Sequence, residues 1–203
     1  QRVHFLLRLV VGHDDDRLVA QRIGDQRDAD PGVARRPLDH RAAGLQFAAR
    51  LGIAAPDAAW LRTEVDALLA GQGGPGVLKL VLTRGTGGRG YRIPDEAAPT
   101  MVLSRHPLPP PAPGPLVVRW CQLRMALQPA LAGLKHLNRL EQVLARAEWR
   151  DEAIHEGLLL DAAGRVACAT AANVFARING RWLTPRVDAC GVAGIARAWV
   201  LAN

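Results

Sequence analysis

Lysine is nearly absent from this chain of 203 residues: of 26 basic residues, only Lys79 and Lys135 are not arginine. Aromatic side chains are also scarce, with five Trp, three Phe and one Tyr, and they do not alternate with a basic stripe. Binding of nucleic acid requires clustered cations and aromatic stacking platforms. The net charge of +7 and the pI near 10.5 therefore reflect scattered arginine, as a GC-rich coding sequence produces, and no nucleic-acid partner is predicted.

Cysteine is scarce as well, and the number is odd. Cys121, Cys168 and Cys190 match neither a disulfide framework nor the ligand spacing of a zinc site. No metal is predicted, and a reducing cytoplasm is the simplest compartment. No apolar run approaches the roughly 20 residues of a membrane helix, so the sequence predicts no transmembrane segment and no membrane partner.

Residues 1–44 form an atypical segment. They hold eight Arg and seven Asp but neither Glu nor Lys, and they show no sustained period of 2 or 3.6, so no regular structure is assigned to them. Disorder is one interpretation. The other is translation in a shifted reading frame, which resequencing the DNA around the codon of Gly44 tests.

Residues 45–103 are predicted to form a small N-terminal α/β domain. Helical spacing ends at Gly52, a second helix is predicted over residues 57–70, and a strand over 77–83. Residues 104–115 then contain six prolines in twelve positions. This composition excludes regular secondary structure and predicts an interdomain linker.

Residues 116–203 are predicted to form a second domain. A strand over 116–123 precedes an amphipathic helix over 137–150, and residues 156–185 are predicted to form three strands, with a kink near Ala171 and a hairpin turn at Asn179 and Gly180. A glycine-rich turn then opens a helix that reaches Asn203 without a C-terminal cap. We therefore expect this second domain to be incomplete.

Lys135 is the sharpest candidate for chemistry, in the segment LKHLNRLEQVLAR. Lysine can form a Schiff base, and apolar neighbours such as the preceding LAGL lower its pKa, so that the free amine acts as nucleophile and base. A solvated lysine in front of a helix is the plainer alternative, and spacing alone favours it.

Three segments together resemble one family. AGLKHLNRLEQVLAR is similar to the lysine motif of the aminodeoxychorismate lyases, which are pyridoxal-phosphate enzymes of fold type IV in the branched-chain and D-amino-acid aminotransferase superfamily. KLVLTRGTGGRGY resembles a glycine-rich segment of that family, and EGLLLDAAGRV…ATAANVFARINGRWLTPRVDACGVAGIAR resembles its second half. The likeness covers roughly residues 45 to 197, in the order that the family has.

The resemblance implies a two-domain α/β fold of fold type IV and a homodimer. It implies pyridoxal 5'-phosphate as cofactor and 4-amino-4-deoxychorismate as substrate, which is converted to 4-aminobenzoate and pyruvate in folate biosynthesis. A fold type IV aminotransferase and a non-catalytic remnant are the alternatives. An amino-donor half-reaction distinguishes the aminotransferase, and a missing cofactor spectrum distinguishes the remnant.

The resemblance also assigns roles to residues. Lys135 would hold the cofactor and shuttle protons, and Asn173 belongs to the matching AAN segment. The backbone N–H groups of Gly194, Ile195 and Ala196 would bind the cofactor phosphate, as the N-terminus of a helix can.

Substrate carboxylates would bind Arg84 and Arg89 of the glycine-rich segment. A purely structural role for either arginine is an equal alternative at this point.

The sequence departs from the family in several places. A glutamate that pairs with the cofactor's pyridine nitrogen is replaced by Cys168, a weaker partner that predicts a poorer electron sink and favours lyase over aminotransferase chemistry. Ala196 stands where relatives often carry a threonine, so one phosphate hydrogen bond is lost. The family's N-terminal motif and its phosphate-binding arginine are not found, and Gly44 lies near the expected place of that arginine.

Overall fold

The computed structural model describes residues 6–10, 18–23, 47–74, 76–107, 110, 115–179 and 181–203, the first two ranges as backbone only. The chain divides into two compact units, Gln1–Val3 with Pro37–Pro110 and His4–Arg36 with Pro111–Asn203. Helices and strands are mixed in the order of the chain, which confirms the predicted α/β class. The hypothesis of a shifted reading frame concerns residues that lie mostly outside the described ranges.

The first unit contains a helical segment at residues 47–50, helix α1 (Ala58–Leu69) and an antiparallel pair of strands, β3 (Gly76–Thr83) and β4 (Thr100–Pro107). The α1 helix begins where the sequence predicts it. The carboxylate of Asp57 accepts hydrogen bonds from the N–H groups of Ala59 and Trp60, at 2.9 and 3.0 Å, as an N-cap does.

The prediction that residues 104–115 exclude regular structure is wrong for the first four of them. They form the end of β4, where Ser104 pairs with Lys79 and Pro107 pairs with Gly76. Proline is tolerated at such a place because a two-stranded sheet has only edge strands, and an edge strand can do without one donor. The boundary between the two units falls between Pro110 and Pro111, inside the proline-rich segment.

The second unit is built on a seven-stranded sheet with the order β7-β6-β5-β2-β1-β8-β9. Its strands are β1 (Leu6–Val10), β2 (Leu18–Ile23), β5 (Leu116–Met125), β6 (Glu156–Asp161), β7 (Val166–Ala169), β8 (Val174–Ile178) and β9 (Arg181–Leu183). The pairs β1–β8 and β5–β6 are parallel and the other neighbours antiparallel. Helices α2 (Leu140–Arg146) and α3 (Ile195–Ala202) complete the described part.

Strands β1 and β2 lie within residues 1–44, to which the sequence analysis assigned no regular structure. They are five and six residues long, too short for a period to stand out among the charged residues around them. Their order comes from distant partners, because β1 pairs with β8 and β2 pairs with β5.

Two other predicted elements differ from the structure. Helix α2 is half the predicted length, and three apolar side chains along it are exposed: Leu140, Val143 and Leu144. The predicted kink near Ala171 is a full turn, closed by a hydrogen bond of 2.9 Å from the N–H of Ala169 to the carbonyl of Ala172. Four strands therefore replace the predicted three.

The core of the second unit lies on both faces of the sheet. Neighbouring residues of β6 point to opposite faces, because side chains alternate along a strand. Leu158 packs in one cluster with Leu116, Val118, Ala169 and Val174. Leu159 packs in the other with Cys121, Met125, Ala145, Trp149, Ala167, Cys168 and Cys190. All three cysteines are free thiols.

Gly157 is required by close packing in the second cluster. A Cβ at this position would lie 2.5 Å from Sγ of Cys121 and 2.7 Å from Cη2 of Trp149. We expect Gly157→Ala to lower the free energy of unfolding by about 1–3 kcal/mol, the usual cost of overpacking, measured by urea denaturation. The control is Gly88→Ala, where an added Cβ meets nothing within 4 Å; equal effects of the two substitutions would contradict the packing argument.

Candidate active site

Lys135 follows a compact turn that is anchored in the core. The N–H groups of Leu131 and Ala132 both donate to the carbonyl of Gln128 at 3.0 Å, and that of Leu134 donates to the carbonyl of Leu131 at 3.1 Å. Leu134 is only 1% exposed, whereas Lys135 is exposed. The turn therefore holds the lysine at a fixed place on the surface of a packed domain.

Arg139 stabilises the backbone on both sides of this lysine. Its Nε donates to the carbonyl of His136 at 3.0 Å, and its Nη2 donates to the carbonyl of Leu134. Although the side chain of Lys135 reaches solvent, the protein atoms around its amine remove part of its hydration and lower its pKa, and the positive charge of Arg139 lowers the pKa further. Both changes favour the unprotonated amine, which is the form that attacks an aldehyde.

The lysine turn is joined directly to the turn that precedes α3. The N–H of Gly133 donates to the carbonyl of Gly191 at 3.0 Å, and the N–H of Ala193 donates to the carbonyl of Gly133 at 2.9 Å. These bonds form an isolated parallel bridge between Gly133 and Val192. The predicted lysine and the predicted phosphate-binding turn are thereby brought together within one unit.

Asn173 fixes the same turn from the other side. The carbonyl of Val192 accepts two hydrogen bonds, one of 2.8 Å from Nδ2 of Asn173 and one of 3.0 Å from the N–H of Gly194. Gly194 is the N-cap of α3, and a Cβ there would lie 2.4 Å from Oδ1 of Asn173. The first N–H groups of the helix, on Ile195 and Ala196, lack intrahelical acceptors, as at any helix start, and the helix dipole favours an anion beside them.

Cys168 lies in β7 opposite Leu159 and is 5% exposed. Its Sγ lies 3.5 Å from Sδ of Met125. Burial raises the pKa of Cys168 to about 12, with a further contribution from Cys190, while the positive charge of Arg139 acts in the opposite direction. The side chain is therefore a neutral thiol at physiological pH.

The two arginines predicted to bind substrate lie in the first unit, whereas the other candidate residues lie in the second. The guanidinium of Arg84 donates to the carbonyl oxygens of Leu51 and Gly52, in the latter case at 2.7 Å. These contacts support the structural interpretation of Arg84. Arg89 lies in an exposed bend.

Sequence reasoning missed two residues that shape this site, Arg139 and Glu156. Arg139 follows Lys135 by four residues, and that short separation in the sequence is a signal of proximity, although the residues between them are not helical. The carboxylate of Glu156 contacts the turn at residues 170–171. No local pattern reveals this contact, because the partners follow the next strand of the sheet, 14 and 15 residues further along the chain.

Residues 42–203 match the model of the amino-transferase class IV family. The chain belongs to this family, and its fold type IV aminotransferases and aminodeoxychorismate lyases depend on pyridoxal phosphate. The matched range leaves out the first 41 residues, which include strands β1 and β2.

Proteins similar to this chain include lyases and an aminotransferase. A crystal structure of 4-amino-4-deoxychorismate lyase from Pseudomonas aeruginosa is 45% identical with a TM-score of 0.72, covering 80% of this chain and 61% of that one. Aminodeoxychorismate lyase from Vibrio harveyi is 34% identical over 133 residues, 61% of this chain and 47% of the relative. A structure from Mesorhizobium loti with a provisional amino-acid aminotransferase assignment is 27% identical with a TM-score of 0.68, covering 85% of this chain and 78% of that one. The chain thus spans about half the length of the curated lyase that it matches.

The residues fit pyridoxal phosphate at two of its three anchoring points. The amine of Lys135 has a lowered pKa, which suits the aldehyde of the cofactor. The tight turn at Gly194 has no room for a Cβ and is followed by the helix N–H groups that lack intrahelical acceptors, which suit the phosphate. At the third point, the ring nitrogen, the resemblance predicts Cys168, and this residue is a buried neutral thiol and not a carboxylate.

Proposed function

We propose that this chain is a pyridoxal-phosphate-dependent lyase that converts 4-amino-4-deoxychorismate to 4-aminobenzoate and pyruvate, in folate biosynthesis. The observation that carries the proposal is the bridge from Gly133 to Val192, which joins the lysine turn to the helix N-terminus in a chain 45% identical to a lyase of known structure. The proposal includes a cytoplasmic location and a homodimer. Among the described residues, no helix combines the length and the apolar character that crossing a bilayer requires.

Each candidate residue has a role in this proposal. The N–H groups of Ile195 and Ala196 hold the phosphate, next to Gly194, whose own N–H donates to the carbonyl of Val192. Asn173 fixes this turn, and Nζ of Lys135 anchors the cofactor. When bound, pyridoxal phosphate supplies an electron-withdrawing ring conjugated to the amino nitrogen of the substrate.

Lys135 then acts as the base. Its amine takes the proton from the ring carbon that bears the substrate's amino group, and the C–O bond at the adjacent ring carbon breaks to release the enolate of pyruvate. The enolate gains one proton at carbon, which balances the proton that Lys135 removed, and becomes pyruvate, while the remaining ring becomes aromatic. A lowered pKa of Lys135 suits this proton transfer near neutral pH.

The neutral thiol of Cys168 favours the lyase over the aminotransferase. A thiol does not hold a ring nitrogen in its protonated form as a carboxylate does, so the electron sink is weaker. Transamination requires the electron sink to stabilise a carbanion at the substrate's Cα, whereas formation of an aromatic product helps to drive the lyase reaction. Of the two arginines, Arg89 is the better candidate for a substrate carboxylate, because Arg84 already contacts two backbone carbonyls.

A fold type IV aminotransferase is the second candidate, and the likeness to the Mesorhizobium loti structure favours it. A non-catalytic remnant is the third, and the buried Cys168 favours that one.

One assay separates these candidates. We expect the purified chain, incubated with pyridoxal phosphate and 4-amino-4-deoxychorismate, to release 4-aminobenzoate and pyruvate in equal amounts, measured by fluorescence and by coupling to lactate dehydrogenase. Parallel incubation with leucine or D-alanine tests for conversion of the cofactor to its amine form. Amine formation without 4-aminobenzoate would replace the lyase by the aminotransferase, and a chain that takes up no cofactor is the remnant.

A further inference from the structure

Glu156, the first residue of β6, gathers the donors of the turn that follows β7. Its Oε1 accepts hydrogen bonds from the N–H of Thr170 at 3.1 Å and from the hydroxyl of the same residue. Its Oε2 accepts one from the N–H of Ala171 at 3.3 Å, and Oε1 also accepts one from the N–H of Gly157 at 2.8 Å. One half-buried carboxylate thus accepts hydrogen bonds from four donors, and three of these donors belong to the turn that follows β7.

The turn held by Glu156 leads directly to Asn173. The bond from Ala169 to Ala172 closes the turn, and Asn173 follows it with its Nδ2 2.8 Å from the carbonyl of Val192. Hydrogen bonds at both ends and the backbone of residues 170–173 between them therefore connect the carboxylate of Glu156 to the carbonyl of Val192. The tight approach of Asn173 to Gly194 leaves this connection little freedom to relax, because closely packed atoms transmit displacement.

We propose that Glu156 is a positioning residue for the phosphate end of the cofactor site, acting through the turn at 170–172 and Asn173 on the backbone of 192–194. The role in cofactor binding rests on the proposed function, whereas the connection from Glu156 to residues 192–194 rests on the hydrogen bonds described above. A Glu156→Gln side chain keeps the size and loses the charge. Whichever way its amide is oriented, an NH₂ group faces a backbone donor at one of the two oxygen positions.

The first test is amide hydrogen exchange of the chain without cofactor. We expect Glu156→Gln to speed exchange by about tenfold or more at Thr170, Ala171, Ala193 and Gly194, because the opening free energy of the connected turns falls, with no change in strand β3. Asn173→Ala should reproduce the faster exchange at Ala193 and Gly194, and the double variant should be no faster there. Faster exchange confined to Thr170 and Ala171 would overturn the proposal.

The second test is cofactor affinity, read from the visible absorbance of added pyridoxal phosphate. We expect Glu156→Gln to raise the dissociation constant about tenfold, as loss of a hydrogen bond to a charged group does, with an unchanged circular dichroism spectrum. Glu152→Gln, at an exposed glutamate before the same strand, is the matched control. Equal affinity of the Glu156→Gln and Glu152→Gln variants would contradict a positioning role.

Two further outcomes have to be distinguished, namely a variant that does not fold and a chain that binds no cofactor. If Glu156→Gln does not fold, Thr170→Val removes only the hydroxyl contact and should show the same pattern of exchange to a smaller degree; no change at Ala193 and Gly194 would then overturn the proposal. If the unaltered chain binds no pyridoxal phosphate, the proposed function fails, and the exchange experiment still decides the role of Glu156.

Discussion

Replacing Lys135 by arginine is expected to abolish covalent attachment of pyridoxal phosphate while the positive charge is kept. A guanidinium cannot form a Schiff base, whereas it keeps a positive charge at position 135. Borohydride reduction of the cofactor-treated chain followed by peptide mass spectrometry should place the adduct on the Lys135 peptide of the unaltered chain and on no peptide of the variant. Lyase turnover should fall by about 10²–10⁴-fold or more, the contribution of a positioned general base.

The chain supplies its own matched control, because Lys79 is the only other lysine and is exposed on β3. Lys79→Arg should leave both the adduct and the turnover unchanged. An adduct that persists in Lys135→Arg, or that vanishes in Lys79→Arg, would contradict the assignment.

The pH dependence of the adduct provides a further check on Lys135. An ordinary lysine has a pKa of about 10.4, and burial together with Arg139 lowers the pKa of Lys135. Since the unprotonated amine reacts, adduct formation should persist to a lower pH than it does with free lysine. Removing the positive neighbour in Arg139→Gln should shift that profile toward higher pH.

Cys168→Glu is expected to add an amino-donor half-reaction to the chain, with the cofactor converted to its amine form at least about tenfold faster, which corresponds to about 1.4 kcal/mol of barrier. The introduced carboxylate would keep the ring nitrogen protonated and strengthen the electron sink. It would be placed near the positive charge of Arg139, which offsets part of the cost of burying it. Stopped-flow absorbance with leucine or D-alanine as donor measures the rate.

Cys168→Gln separates charge from size in this experiment. Both variants put a longer side chain into a core position that is 5% exposed, so both should lose about 1–3 kcal/mol of stability through overpacking. Only the glutamate should gain the half-reaction. A gain in neither variant, with cofactor still bound, would mean that Cys168 does not decide between the two chemistries.

The features that the sequence predicted well are those encoded by neighbouring residues. The N-cap at Asp57 and the positive φ of 49° at Asn179, in the predicted hairpin turn, both follow from local side-chain chemistry. Helix α2 was predicted too long because its limits are set from outside the helix. The side chain of Arg139 holds the carbonyls of Leu134 and His136, which keeps residues before Leu140 out of the helix.

The site was predictable in part for the same reason. Lys135 and the turn before α3 each carry a local motif, and the resemblance to a family gave both a role. Their connection through Gly133 joins two turns about 60 residues apart, and the contacts of Glu156 reach a turn beyond the next strand, so the short windows used for helix and strand patterns do not contain them. Strands β1 and β2 escaped prediction in the same way, because their pairing partners lie in β8 and β5.

The bridge between Gly133 and Val192 also bears on the order of folding. Its two residues are separated by about 60 positions in the chain, and closing so long a loop costs entropy that only later contacts recover. During synthesis the lysine turn emerges well before its partner, so the two halves of the site meet only after β6 to β9 have been made. Binding of the cofactor at both turns therefore requires this contact, and a bound cofactor would in turn stabilise it.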